Sequence, residues 1–240
     1  VNGTMTQTID TPSNVFATAN ALDNGIQGST FSNGNTTITT GISQNSYNTT
    51  TFGVSSGKWY WEYKIGAGSA QFMSGITSVF ATANTDPAGA LGYATAENYA
   101  INSSGSGIYS NNTTTAYGSG NLTTGDIISV ALDLDNNNLY FAKNGQWGSG
   151  SAWDQTFSTA LAHSITDPAN TTTGFYFPAF GDWGSSTNIV YDTNFGNGYF
   201  GTTAVASAQN PDDGIGIFEY SVPTGYKSLC TKSLNSQEYD

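Results

Sequence analysis

The chain has 240 residues, a mass of 25.1 kDa and a formal net charge of −12 at pH 7, from 5 basic and 17 acidic residues. Every basic residue is a lysine, and so strong an acidic balance excludes the positive surface with which proteins bind nucleic acid or an anionic membrane. The single cysteine excludes an internal disulfide and a multi-cysteine metal site. No apolar run approaches the ~20 residues that span a bilayer, so we expect no membrane insertion.

The composition favours strands over helices. Thr, Ser, Asn and Gly contribute 114 of the 240 residues. Ser, Thr and Asn side chains compete with helical hydrogen bonds, and Gly costs about 1 kcal/mol at a helical position relative to Ala. Aromatic residues make up 13% of the chain, which is typical of an ordered protein rather than a disordered one. We therefore predict an all-β protein that is ordered by aromatic side chains.

The first clear strand in chain order spans residues 58–65, where the side chains alternate between two classes. An alternating strand has one face toward the core and one toward water. The core set is predicted to be Trp59, Trp61, Tyr63 and Ile65, and the solvent set is predicted to be Lys58, Tyr60, Glu62 and Lys64.

Residues 126–143 are predicted to form a β-hairpin. Residues 126–134 carry aliphatic side chains at every second position, and residues 139–143 provide the returning strand. Between them, the Asp and Asn residues of 135–138 tolerate the left-handed backbone of a tight turn. Asn-Gly at 144–145 then predicts another turn.

The aromatic segment 175–180 predicts a further strand, with Pro178 at an edge or a bulge because proline cannot donate to a sheet ladder. Many short strands at roughly ten-residue spacing favour a two-sheet antiparallel β-sandwich. We expect residues 46–200 to form this sandwich. An N-terminal extension, 1–45, is expected to pack on it, and a C-terminal extension, 201–240, is expected to complete the same domain.

Several of these segments resemble the motifs of one family, the SPRY (B30.2-like) domain, over residues of about 50–200. The most specific is Gly-Asp-Ile-Ile-Ser-Val-Ala-Leu-Asp-Leu-Asp at 125–135, continued by Leu-Tyr-Phe-Ala-Lys-Asn-Gly at 139–145. The resemblance implies a SPRY-like sandwich of concanavalin-like jelly-roll topology that acts as a non-enzymatic binding module. Supporting motifs are Gly-Lys-Trp-Tyr-Trp-Glu-Tyr at 57–63, Leu-Gly-Tyr at 91–93, Gly-Ile-Tyr at 107–109 and Phe-Pro-Ala-Phe at 177–180.

A narrower resemblance lies near both ends of the chain, at residues 11–16 and 31–35 and at residues 194–196 and 223–231. The first two segments are similar to the start, and the last two to the end, of SPRY-type proteins of marine tailed phages. Ser-Leu-Asn at 233–235 departs from the usual ending, Asn-Leu-Pro. The resemblance implies a head or tail fibre or decoration protein on the virion surface. It would belong to an oligomeric particle and contact other virion proteins, a host surface protein or a glycan.

The family resemblance also implies where a ligand would bind. Family members that bind peptides use loops at one end of the sandwich, and motif matching places Tyr109, Trp183 and Gly184 there. Trp183 could instead pack the edge of the sandwich. Aromatic side chains also stack on sugars. A lectin-like module, a weak polysaccharide depolymerase and a purely architectural capsid decoration therefore stay open as alternatives.

The chain offers little catalytic or metal-binding chemistry. His163 is the sole histidine and no serine has nucleophile-elbow glycines, so we expect no catalytic residue and no cofactor. Cys230 is expected to be a packed thiol. Asp133, Asp135 and Asn137 begin like a calcium-binding EF-hand loop, but the required glycine is missing and a polar turn is the expected structure.

Overall fold

The computed structural model describes residues 10–24, 28–41, 45–68, 71–83, 89–93, 95–184 and 187–239. No helix within these ranges is long and apolar enough to cross a membrane. Short 3-10 turns lie at Ala81–Ala83, Phe157–Thr159 and Pro168–Asn170, and one α-helix, α1, spans Thr231–Tyr239. The strands are β1 (Ala19–Asn24), β2 (Thr30–Ser32), β3 (Thr37–Thr39), β4 (Ser46–Thr50), β5 (Lys58–Ala67), β6 (Phe72–Thr77), β7 (Asn98–Asn102), β8 (Gly107–Ser110), β9 (Thr113–Ala116), β10 (Ile127–Asp133), β11 (Asn138–Lys143), β12 (Gln146–Gly148), β13 (Trp153–Gln155), β14 (His163–Ser164), β15 (Phe177–Asp182), β16 (Val190–Asn194), β17 (Tyr199–Phe200), β18 (Thr203–Ala204) and β19 (Lys227–Ser228).

The strands form two large sheets and a short ribbon of β17 and β18. The seven-stranded sheet has the order β1-β4-β15-β6-β7-β8-β9. The ten-stranded sheet has the order β13-β12-β11-β10-β5-β16-β3-β2, with β14 beside β11 and β19 beside β5. All of these pairs are antiparallel except that of β19 with β5. The predicted all-β class and two-sheet β-sandwich are confirmed.

The main core lies between the two sheets and is largely aromatic. Trp61 on β5 is 1% exposed, and its ring lies 6.4 Å from that of Phe195. Tyr63 meets Phe180 of the opposite sheet edge to face, with the ring centroids 5.4 Å apart. Trp59 and Ile65 are buried in the same cluster, so the predicted core face of residues 58–65 is confirmed. Fully burying a side chain of this size stabilises the fold by on the order of 3 kcal/mol.

The predicted hairpin and the predicted turn that follows it are confirmed. β10 pairs with β11 from Ile128 opposite Lys143 to Asp133 opposite Asn138. Asn144 and Gly145 have φ values of 49° and 81°, the left-handed pair that a tight two-residue hairpin turn requires.

The position of Pro178 differs from the prediction. β15 is a central strand between β4 and β6, so the predicted edge position is wrong. Pairing with β4 begins at Ala179, however, and Pro178 is registered only with Ile76 of β6. The proline therefore lies where the strand has one paired neighbour, and its missing N–H removes no bond from the β4 ladder.

The predicted solvent face of β5 is also wrong in part. Tyr60 and Glu62 are 0% exposed, and only the two lysines of that face are partly accessible. Residues 217–226, here called the C-terminal strap, cover this outer face of the ten-stranded sheet. Phe218 of the strap meets Tyr60 edge to face at 4.9 Å, within a second apolar cluster that also contains Trp147 and Tyr226.

The carboxylate of Glu62 anchors the C-terminal strap. Glu62 Oε2 accepts a hydrogen bond from the backbone N–H of Glu219 at 2.8 Å. Glu62 Oε1 accepts one from the backbone N–H of Tyr220 at 2.9 Å and one from the Tyr60 hydroxyl at 2.7 Å. Burial raises the pKa of Glu62 to about 7, although these three hydrogen bonds favour the ionised form. Glu62 therefore both anchors the C-terminal strap and titrates near pH 7.

This pKa predicts a pH dependence of stability. The pKa of Glu62 is 4.5 without the fold and about 7 within it, so the folded state binds the proton more tightly. The stabilisation of the fold that results from this difference in pKa is fully present below pH 4.5 and is lost as the pH rises through 7. Across that window, we expect the free energy of unfolding to fall by about 3 kcal/mol more in the native protein than in Glu62→Gln. Urea unfolding at a series of pH values measures the difference, and superimposable pH profiles for the two proteins would contradict it.

Candidate functional site

Three aromatic side chains form a continuous row on the outer face of the seven-stranded sheet. The rings of Tyr109 and Tyr93 are stacked, with centroids 5.6 Å apart and planes 20° apart. The ring of Trp183 continues the row, 5.6 Å from that of Tyr93. Both tyrosines pack against an apolar cluster separate from the main core, which contains Met73 and Leu91. This set of Tyr109, Tyr93 and Trp183 is called the aromatic row below.

Gly92 allows the segment 89–93 to lie against β8. It has a φ of 86°, and a Cβ atom there would lie 2.9 Å from the Cβ and backbone oxygen of Tyr109. The Gly92 carbonyl accepts a hydrogen bond from the backbone N–H of Asn112 at 3.3 Å, which joins the segment to the turn after β8. Only glycine combines this φ with so close an approach, and the approach sets the ring of Tyr93 on that of Tyr109.

The backbone holds Trp183 in place while its side chain stays accessible. The Trp183 N–H donates to the carbonyl of Gln71 at 2.7 Å, and the side chain is 43% exposed. Gly184 has a φ of 140°, and a Cβ there would lie 2.2 Å from Gln71 Nε2. The glycine thus lets the chain turn beside Gln71 directly after β15.

The structure brings together the predicted residues Tyr109 and Trp183, and it does so through Tyr93. Sequence reasoning used Leu91-Gly92-Tyr93 only as a family motif and missed Tyr93 as a site residue. The expected loop position of Tyr109 is wrong, because this residue lies within β8 and pairs with Ala100 and Thr114. Burial is the larger cause that raises the pKa of the Tyr93 hydroxyl, and the neighbouring Tyr109 is the smaller one. The hydroxyl therefore stays neutral and can donate or accept hydrogen bonds.

The acidic hairpin turn uses its carboxylates internally. Asp133 Oδ2 lies 3.2 Å from Lys58 Nζ, and Asp133 Oδ1 accepts from the Asp135 N–H at 3.1 Å. Asp135 Oδ1 accepts from the Gly57 N–H at 2.9 Å, and Asn137 takes a left-handed φ of 54° in the turn. Across the described ranges, no group of three or more His, Cys, Asp or Glu side chains could hold a metal ion.

His163 and Cys230 each pack against other residues of the sandwich. His163 on β14 meets Tyr99 edge to face at 5.6 Å, and burial lowers the pKa of its imidazole. Cys230 is buried, with its Sγ atom 3.2 Å from Ser233 Oγ. Both residues act here as packing groups.

A family model described as SPRY domain matches residues 58–192, which is more than half of the chain. The chain belongs to the SPRY domain family. Among solved structures, the SPRY domain of human HERC1 is similar, with a TM-score of 0.54 and 15% sequence identity over 73% of this chain and 96% of that chain. At that identity the likeness supports the fold alone. No curated protein is similar enough to count as a match. SPRY domains mediate protein–protein interaction and are generally non-catalytic binding modules.

Proposed function

We propose that this SPRY domain binds a peptide segment of a partner protein through the aromatic row. The observation that carries the proposal is the alignment of the exposed Trp183 with Tyr93 and Tyr109 on one sheet face. Rings that are already packed lose little conformational entropy on binding, and Trp and Tyr contribute a large share of the energy at protein interfaces. The tyrosine hydroxyls add neutral hydrogen-bonding groups for a peptide backbone.

The charge of the chain favours some partner surfaces over others. A net charge of −12 repels an acidic partner at long range and speeds the encounter with a basic one. The three side chains of the row carry no formal charge, so contact energy there comes from ring packing rather than from ion pairs. The combination favours a neutral or basic peptide with apolar side chains that can rest on the rings.

A peptide-display selection tests this proposal. Peptides selected on the native protein should bind Trp183→Ala at least about tenfold more weakly, because the exposed ring is lost, while Trp183→Phe should keep most of the affinity. Leu22→Ala is the matched control, since Leu22 is an apolar side chain that is 89% exposed on β1 of the same sheet. The proposal fails if no peptide is selected, or if the affinity is the same for Trp183→Ala and the native protein.

We further propose that the domain is displayed on a virion, where its partner is another virion protein or a host surface protein. The support is the resemblance of both ends of the chain to phage proteins. Two described segments near the ends pack together: the Ala17 N–H donates to the Leu229 carbonyl at 2.9 Å, and Phe16 pairs with Cys230. A strongly acidic surface also keeps particles from associating.

Mass spectrometry and immunogold labelling of purified particles of the virus that encodes the chain test the virion placement. We expect the chain in the purified particles and gold on their surface. Its absence from the particles would contradict the virion placement and leave the peptide-binding proposal intact.

A further inference from the structure

A cleft of about 580 Å³ opens on the outer face of the ten-stranded sheet. The aromatic row lies on the outer face of the other sheet, so the two features are on opposite sides of the sandwich. Tyr60 of β5 and Ser129 of β10 form the floor of the cleft. Trp147 and Phe157 form one wall, and Tyr220 belongs to the opposite wall, which the C-terminal strap provides. The volume is within the range of small-molecule sites in proteins.

Both walls of the cleft are fixed before any ligand binds. On one side, the rings of Trp147 and Phe157 meet edge to face at 4.9 Å, and Phe157 meets Tyr226 at 5.3 Å. On the other side, the carboxylate of Glu62 holds the backbone N–H groups of Glu219 and Tyr220. A preformed site spends little of its binding energy on ordering its own side chains.

The chemistry of the lining favours a neutral ligand that is both polar and apolar. None of the residues that line the cleft is an Asp, Glu, Lys or His, so no formal charge faces a ligand there. The amide of Gln146 and the hydroxyls of Ser158 and Ser221 can each donate and accept hydrogen bonds. Gln155 Nε2 donates to Asp154 Oδ1 at 2.7 Å, so this amide keeps its carbonyl oxygen and a second N–H for a ligand. Aromatic rings lie beside these groups and suit the C–H face of a sugar ring.

The floor of the cleft consists of two shielded hydroxyl groups. Ser129 is 1% exposed, and its hydroxyl lies beside that of Tyr60. The Tyr60 hydroxyl, which also lies at the floor, donates its proton to Glu62 instead. Both groups are shielded from water, so a ligand in the cleft meets its walls and rim rather than these two hydroxyls.

We propose that the cleft between the C-terminal strap and residues 146–158 binds a neutral saccharide. The apolar face of the sugar packs against Phe157 and Tyr220, and its hydroxyls bond to Gln146 and Gln155. The site is separate from the aromatic row, so it adds a second binding function to the peptide-binding proposal and does not depend on it.

The test uses the full chain and a panel of neutral hexoses, N-acetylhexosamines and their disaccharides. Saturation-transfer and ¹⁵N chemical-shift NMR should detect binding with a Kd in the millimolar range or tighter, with shifts at Trp147, Gln155 and Tyr220.

Ser158→Trp places a ring in the cleft from an exposed position and should weaken binding at least about tenfold. Ser32→Trp is the matched control, since it places the same ring on exposed β2 at the opposite edge of the same sheet. Gln155→Ala is a second disruptive variant, which is expected to weaken binding without adding bulk.

Trp183→Ala separates this proposal from the peptide-binding proposal. We expect it to bind the saccharide as the native protein does, even though it loses peptide affinity. The saccharide proposal is overturned if no member of the panel binds. It is also overturned if Ser158→Trp and Gln155→Ala both bind normally, or if the shifts lie at the aromatic row and disappear in Trp183→Ala.

Discussion

The three hydrogen bonds accepted by the buried carboxylate of Glu62 determine the outer face of the ten-stranded sheet. They hold the C-terminal strap across β5, and the strap in turn buries Tyr60 beneath Phe218. Since an unpaired buried polar group costs about 1–3 kcal/mol, the carboxylate and the strap amides stabilise each other only while they stay together. The cleft exists because the strap is held at this distance above the sheet.

The two outer faces of the sandwich provide different surfaces. On the seven-stranded sheet, Gly92 and Gly184 allow two chain segments to approach closely enough to align three aromatic rings. On the ten-stranded sheet, one wall of the cleft comes from the C-terminal strap, which lies beyond the residues 58–192 that match the SPRY model. The residues that match the family model therefore include the floor and one wall of the cleft, and the C-terminal segment of this chain adds the other wall. Each surface rests on its own hydrogen-bonded sheet, so neither has to be ordered when a partner binds.

Sequence patterns correctly predicted the structural features that depend on residues close together along the chain. Alternation identified the core face with Trp59 and Trp61, and Asn144-Gly145 identified a turn, because strand pleating and left-handed backbone depend on neighbouring residues. The same alternation wrongly assigned Glu62 to solvent, since the groups that cover it are 157 and 158 residues away along the chain. The place of Tyr93 in the aromatic row was missed for a similar reason: its stacking on Tyr109 depends on a long-range approach of two segments.

Hydrogen exchange at the Glu219 and Tyr220 amides tests the central claim, that Glu62 holds the C-terminal strap on the sheet, most directly. In the native protein both amides should exchange slowly, because each donates to a buried carboxylate oxygen. In Glu62→Ala both should exchange at least about tenfold faster, while amides in the β10–β11 ladder keep their protection. Equal protection of the two amides in the native protein and the variant would contradict the account.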